Sequence, residues 1–320
     1  MKTIVLGRTG LVTTAAGLGC GGFSRIGIDR YGEAHASGIV KKAYESGVRF
    51  FDTATVYGTE SAVGKGLEGF ARDSYVVSTK FPLFGDDWRK ARKKLFADTL
   101  DASLRALKTD YIDVYNIHGV LPEEYGDVRD LLYPEMEKAR DAGKIRFPGI
   151  TERFVEDTSH KMLQTALKDD LFDVIMVGYN LLNPSAAKTV FPEASKKNVG
   201  ILCMFAVRNA LTDPSLTKAE IQKILDCGQG VPELEADENA LNFLTAPDSS
   251  GMPIATSVMD AAYRFCMHNE DIHVVLTGTG NEAHLKDNLV SLSSKPLPPE
   301  ILDKLEYLFG KFDCVSCQDK

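Results

Sequence analysis

Apolar residues recur along this chain in two alternating rhythms, short and nearly continuous runs separated by longer stretches with helical spacing. The short runs are Ala16 to Gly21, Arg49 to Ala54, Tyr75 to Phe81, Tyr111 to His118, Ile145 to Thr151, Phe172 to Asn180, Gly200 to Ala206 and Ile272 to Thr279. Runs of this length, bounded by polar turns, predict strands buried on both faces. Between them, stretches such as Ala34 to Tyr44, Leu95 to Leu107 and Ser257 to Met267 set apolar residues three and four apart, which predicts helices. Strand and helix alternating eight times predict an α/β fold, a closed (β/α)8 TIM barrel forming one domain over residues 1–320. Ahead of it, Ile4-Val5-Leu6 and Leu11-Val12-Thr13 flank the turn Gly7-Arg8-Thr9-Gly10 and predict a β-hairpin. Helical spacing over Glu300 to Phe309 predicts an extra C-terminal helix. Gly228 to Pro253, with Glu233, Glu235, Asp237 and Glu238, is too long for an ordinary connection and reads as a solvated loop or a flap over a substrate pocket.

Charge narrows the classes of function. Lys and Arg number 37 against 45 Asp and Glu, a net charge of -8 that argues against a general nucleic-acid or anionic-membrane surface. No run approaches the ~18 apolar residues of a membrane span, and the N-terminus is interrupted too soon for a signal peptide, so a cytoplasmic protein is expected. Of six cysteines, Cys314 and Cys317 form a pair in the tail with no second pair or histidine cluster to complete a metal site, and no metal is expected.

Asp52, Tyr57, Lys80 and His118 each stand at or just past the end of a predicted strand, which in a barrel gathers them at one mouth. Such a group suits proton transfer: a phenol is a poor acid at neutral pH, and a neighbouring ammonium favours its phenolate. Asp52 would hold the ammonium, and His118 would hydrogen-bond a substrate oxygen. Gly17-Leu-Gly19-Cys-Gly21-Gly22 satisfies G-x-G-x-x-G, but no helix start follows and Val40-Lys41-Lys42 fills the place of the acidic ribose partner, so a first barrel strand explains it better than a dinucleotide-binding turn.

Asp52-Thr53-Ala54-Thr55-Val56-Tyr57-Gly58, Ser78-Thr79-Lys80 and Ile117-His118 resemble the strand-end motifs of the aldo-keto reductase superfamily, and the resemblance runs over nearly the whole chain. It implies a barrel whose floor the hairpin covers, and NAD(P)H-dependent reduction of a carbonyl with Tyr57, Lys80, Asp52 and His118 as the catalytic group. It also implies that Tyr179 stacks on the nicotinamide. Where relatives place Ser-Asn after strand 5 and Gln on strand 6 to grip the carboxamide, this chain has Thr151-Glu152 and Met176, so that contact is altered. Phe205, Val207 and Arg208 occupy the segment that covers the pyrophosphate, and Gly278, Thr279 and Gly280 precede a helix suited to phosphate. Asn288 matches the adenine-side asparagine, whereas Asn281, beside Glu282, stands where an arginine often holds the 2′-phosphate. NADP(H) is the family default, and NAD(H) is the alternative this corner allows.

Phe23, Phe84 and Trp88 follow strand ends and are expected to wall the substrate pocket. The expected activity is reversible reduction of an aldehyde, ketone or sugar, with substrate, physiological direction and oligomeric state left open. Two alternatives stand beside it: a cofactor-binding regulatory or channel-associated subunit with little turnover, and a phosphate-binding aldolase using Lys80 as a Schiff base.

Overall fold

Among residues 1–83 and 87–318, which the computed structural model describes, the eight apolar runs become eight parallel strands closed into a barrel. A short antiparallel pair, β1 (Thr3–Val5) and β2 (Val12–Thr14), precedes β3 (Ala16–Gly19), β4 (Phe50–Asp52), β5 (Val76–Pro82) and β6 (Ile112–Val120). The ring is completed by β7 (Ile145–Glu152), β8 (Val174–Gly178), β9 (Gly200–Met204) and β10 (Val274–Thr277), with β10 pairing β3. Five of the barrel strands, β3, β4, β8, β9 and β10, are shorter than their apolar runs because the last residues of those runs already form the loops at the barrel mouth, while β5, β6 and β7 run one or two residues past the expected ends.

Strand alternation sorts the core into two layers. Phe50, Val76, Val114, Val174, Met176, Leu202 and Val274 fill the barrel interior, while Leu18, Phe51, Val77, Tyr115, Ile175, Val177 and Cys203 face the surrounding helices. The hairpin closes the N-terminal end by inserting Leu6 and Leu11 into the inner layer. Arg8 fixes it there, its Nε donating to Asp173 at 2.8 Å ahead of β8. Gly7 turns at φ +48, and a Cβ there would stand 2.5 Å from the Gly200 nitrogen, so only glycine fits this approach.

The expected helices form over Glu33–Glu45, Asp87–Leu107, Val258–Met267 and Pro299–Phe309. The second starts at Asp87 rather than Leu95 because its first two turns are mostly charged and mask the apolar period. A second apolar core lies outside the barrel. In it the helix Pro299–Phe309 and tail residues Phe312, Val315 and Cys317 pack against Leu181 and Leu182 after β8, and against Leu234, Leu241 and Leu244 from the long 228–253 stretch. That stretch is therefore anchored by its apolar residues beneath an acidic, solvated face, rather than being a free loop. Among the described residues no helix is long and apolar enough to cross a membrane.

Candidate active site

Register brings the four strand-end residues together. Asp52 pairs in register with Ser78, Lys80 with Asn116 and Pro82 with His118, so each successive strand carries its side chain a step further along the mouth. Lys80 is fully buried, and its Nζ donates to both Asp52 oxygens at 2.8 and 2.7 Å and to the Thr53 carbonyl at 2.6 Å. Ser78 Oγ also donates to Asp52, at 2.8 Å, and Asn116 Nδ2 donates to Ser78 Oγ at 3.0 Å. Ser78 and Asn116 are members of the site that sequence reasoning missed; their signal was the inward parity they share with Lys80 and His118.

Tyr57 ends a single 3-10 turn, Thr55–Tyr57, that lifts its ring over this pair. Lys80 Nζ is 5.1 Å from the ring centroid, and the hydroxyl lies 3.3 Å from His118 Nε2. Gly21 permits the placement, since a Cβ there would meet Tyr57 Cζ at 2.6 Å. Burial pushes the phenol above its ordinary value, and Lys80 pulls against that shift. Burial opposes the Lys80 charge as well, but Asp52 and then Tyr57 more than offset it and hold the ammonium above its usual range. Burial, with Lys80 and Arg153 nearby, drives His118 down to about 3, so its imidazole is neutral at physiological pH. Lys80 thus pulls the phenol down as expected, but dehydration outweighs the cation and leaves the phenol above its ordinary value, a state suited to donating a proton.

Parity also decides which other predicted residues reach the mouth. Thr151 points inward, with its Oγ accepting from the Gly119 amide at 2.7 Å, and Met176 is in the inner layer. Tyr179 does not join them. It continues the outward set Ile175 and Val177, its ring stacking on Phe265 at 5.4 Å and its hydroxyl accepting from Asn269, so it is a core tyrosine between barrel and helices. Met204, at the mouth end of β9, is the inward residue at that height, and counting alternation forward from the buried Leu202 would have found it.

Glu152 is likewise outward and fully buried, accepting from His160 Nδ1 at 2.9 Å and from the Gly178 amide at 2.7 Å. His160 Nε2 lies 3.0 Å from Ser185 Oγ, which donates to Asn183 Oδ1 at 2.6 Å. Asn183 in turn donates to the Val315 carbonyl of the tail at 2.8 Å. Glu152 therefore braces the loops after β7 and β8 instead of facing the mouth.

Trp88 is buried in the outer core with Arg89 over its ring, which withdraws it from the pocket wall; its apolar area is worth more in the core than at the rim. Phe23 is exposed in the loop after β3, and Phe84 lies outside the described residues. Phe205 turns in the left-handed region at φ +67 and carries the Arg208 guanidinium 3.7 Å above its ring, while Val207 packs against both outer cores. Gly278 and Gly280 sit against the β3 side: a Cβ at Gly278 would meet the Gly19 carbonyl at 2.6 Å, and one at Gly280 the Gly27 nitrogen at 2.5 Å. Thr279 Oγ accepts from the Asn281 amide at 3.1 Å. Asn281 caps the helix Glu282–Ser291, its Oδ1 accepting from Ala283 at 2.8 Å, and Glu282 is ion-paired with Lys42. Asn288 Nδ2 donates to Thr277 Oγ at 2.9 Å. Cys317 is buried, donating to Asn180 Oδ1, and among the described residues no group of His, Cys, Asp or Glu is arranged to hold a metal ion.

With a closed parallel barrel and a Tyr, Lys, Asp and His at its mouth, comparison with known proteins is direct: residues 17–308 match the Aldo/keto reductase family. The chain belongs to this family. Its members are NAD(P)H-dependent oxidoreductases that act on small-molecule carbonyl compounds. L-galactose dehydrogenase of Arabidopsis thaliana is 26% identical over 313 residues, covering 94% of this chain and 92% of its own. Aldo-keto reductase YhdN of Bacillus subtilis is 28% identical over 235 residues, covering 67% and 66%. Among solved structures, aldo-keto reductase AKR11C1 from Bacillus halodurans in its holo form superposes with a TM-score of 0.73 at 24% identity, covering 98% of both chains.

Proposed function

We propose that this chain reversibly reduces a small-molecule carbonyl to an alcohol with NAD(P)H, Tyr57 supplying the proton. The observation that carries this reading is the Tyr57 hydroxyl 3.3 Å from a neutral His118, above a fully buried Lys80–Asp52 pair. A reduced nicotinamide, when bound, supplies the hydride. Tyr57 then gives its proton to the substrate oxygen, and Lys80, held by Asp52, stabilises the phenolate that remains. His118 Nε2 orients that oxygen.

The mouth fits a nicotinamide. Met204 and Met176 offer an apolar, polarisable bed for a ring, and the Thr151 hydroxyl proton, which has no acceptor among the described residues, is available to a carboxamide oxygen. The backbone after β9 and the Gly278–Asn281 turn border the space for phosphates. Replacing Tyr57 by Phe keeps ring and packing but removes the proton donor. Steady-state reduction of a carbonyl panel should fall about 100- to 10,000-fold, with reduced-cofactor affinity by fluorescence titration nearly intact. Near wild-type turnover in Tyr57→Phe would sink this assignment, and the same panel without turnover in wild type would favour a cofactor-binding, non-catalytic role.

A further inference from the structure

Among the described residues, Arg208 is the one cation at the mouth whose charge no side chain answers. Arg25 donates to the Tyr57 carbonyl at 2.6 Å and pairs with Asp29, Arg153 donates to the Gly119 carbonyl at 3.0 Å and pairs with Glu124, and Lys80 is closed off by Asp52. The Arg208 guanidinium forms no hydrogen bond or ion pair among the described residues, and its Nε is buried without a partner. One flat face of it rests on Phe205 at 3.7 Å. Stacking of this kind holds a guanidinium in place while leaving its N–H edge free.

Its position relative to the reacting group follows from two adjacent glycines. A Cβ on Gly21 would meet Tyr57 Cζ at 2.6 Å, and a Cβ on Gly22 would meet Arg208 Nη1 at 3.3 Å. Phenol and guanidinium therefore both border the same two-residue wall after β3, the phenol so closely that a side chain at Gly21 would displace it. A buried donor left unpaired is costly, the more so when charged, so a fold that keeps one beside its proton donor has a use for it.

We propose that Arg208 binds an anionic group of the substrate, and that the carbonyl compounds this chain reduces carry a carboxylate or phosphate. The proposal rests on the reading of Tyr57 as the proton donor. A planar fork of N–H donors matches two oxyanion oxygens at once, which would anchor such a substrate and aim its carbonyl at Tyr57. The same oxyanion chemistry is present in the phosphates of a dinucleotide. The substrate is favoured because the guanidinium neighbours the phenol, where the carbonyl reacts, and a dinucleotide separates its phosphates from the reacting ring by a ribose.

The test uses two pairs of aldehydes matched in size, 4-carboxybenzaldehyde with benzaldehyde and succinic semialdehyde with butanal, on wild type, Arg208→Met and Arg208→Lys. Wild type should favour the acid of each pair in kcat/KM. In Arg208→Met that ratio should drop about 10- to 100-fold, mainly through KM, the worth of a hydrogen bond to a charged group. Arg208→Lys should fall between, since it keeps charge without the fork. An unchanged ratio together with weaker binding of the reduced cofactor, read by fluorescence titration, would assign Arg208 to a cofactor phosphate and overturn the proposal, as would a wild type indifferent to the acid group. If wild type reduces none of the four aldehydes, the oxidoreductase reading fails separately. Calorimetric titration with benzoate then decides for Arg208: saturable binding lost in Arg208→Met supports the anion site, and no binding to wild type overturns it.

Discussion

Lys80 acts in the same sense on its two neighbours, favouring the carboxylate of buried Asp52 and pulling the buried Tyr57 phenol down. Lys80→Met removes both effects. The phenol loses its principal downward influence, so its pKa rises, and in the reduction direction, where the protonated phenol is the active form, the alkaline limb of the pH profile should move to higher pH as overall rate falls. An unmoved limb with measurable turnover would separate Lys80 from Tyr57. The same change strands a carboxylate in the interior, and breaking a buried pair from one side costs about 3–5 kcal/mol. Urea denaturation of Lys80→Met should show that loss, and adding Asp52→Asn should recover part of it.

Two local constructions outside the Asp52, Tyr57, Lys80 and His118 group set the shape of the mouth. Where β8 ends, Phe154 lies so close over Gly178 that an added Cβ would overlap its ring, and Phe154 also stacks on His160 at 5.3 Å. Gly178→Ala should therefore overpack the loop that Glu152 braces and cost about 1–3 kcal/mol in urea denaturation. Gly126→Ala, in open space within the helix Tyr125–Asp127, should be neutral or slightly stabilising in the same assay. At the corner proposed to take the 2′-phosphate, Asn281 is occupied as a helix cap, so changing it to Arg would weaken the helix by roughly 0.5–2 kcal/mol while adding charge. Glu282 is the cleaner position. Its removal relieves a carboxylate and releases Lys42 from its ion pair, so Glu282→Ala should raise the ratio of kcat/KM for NADPH over NADH about 5- to 100-fold at fixed ionic strength. A ratio that Glu282→Ala leaves unchanged would mean that the 2′-phosphate, if used, is held elsewhere.

At the scale of the whole molecule, the barrel is closed below by the hairpin and flanked near its mouth by a second core that the C-terminal tail completes. Phe312 is fully buried in that core, and the tail's Val315 carbonyl is bonded by Asn183, which is linked through Ser185 to His160 and from there to Glu152. Phe312→Ala should cost about 3–5 kcal/mol of stability by denaturant midpoint. Because the β8 loop leans on the tail, the variant should also raise KM for substrate; a stability loss with unchanged KM would mean that the loop stands without this support.

Much of the fold was legible because it is written in near-neighbour patterns. Eight apolar runs at helix-separated intervals admit few arrangements other than a closed parallel barrel, and strand ends in such a barrel meet at one face, so Asp52, Tyr57, Lys80 and His118 could be grouped before any coordinates. Face was harder to read than position. In strands buried on both sides the residues facing the interior and those facing the helices are equally apolar, so composition does not reveal parity; Tyr179 and Glu152 were assigned to the mouth, and only the closed ring turns them outward and presents Met204 instead. Distances across the chain were wholly a tertiary matter. The sequence by itself determined that a lysine and a tyrosine would share the mouth, but packing decided that burial would outweigh the lysine's pull on the phenol. It also decided that Arg208, sequentially distant from Gly22 and Tyr57, would lie near them without a counter-charge among the described residues, because a charge finds its partners in space and not along the chain.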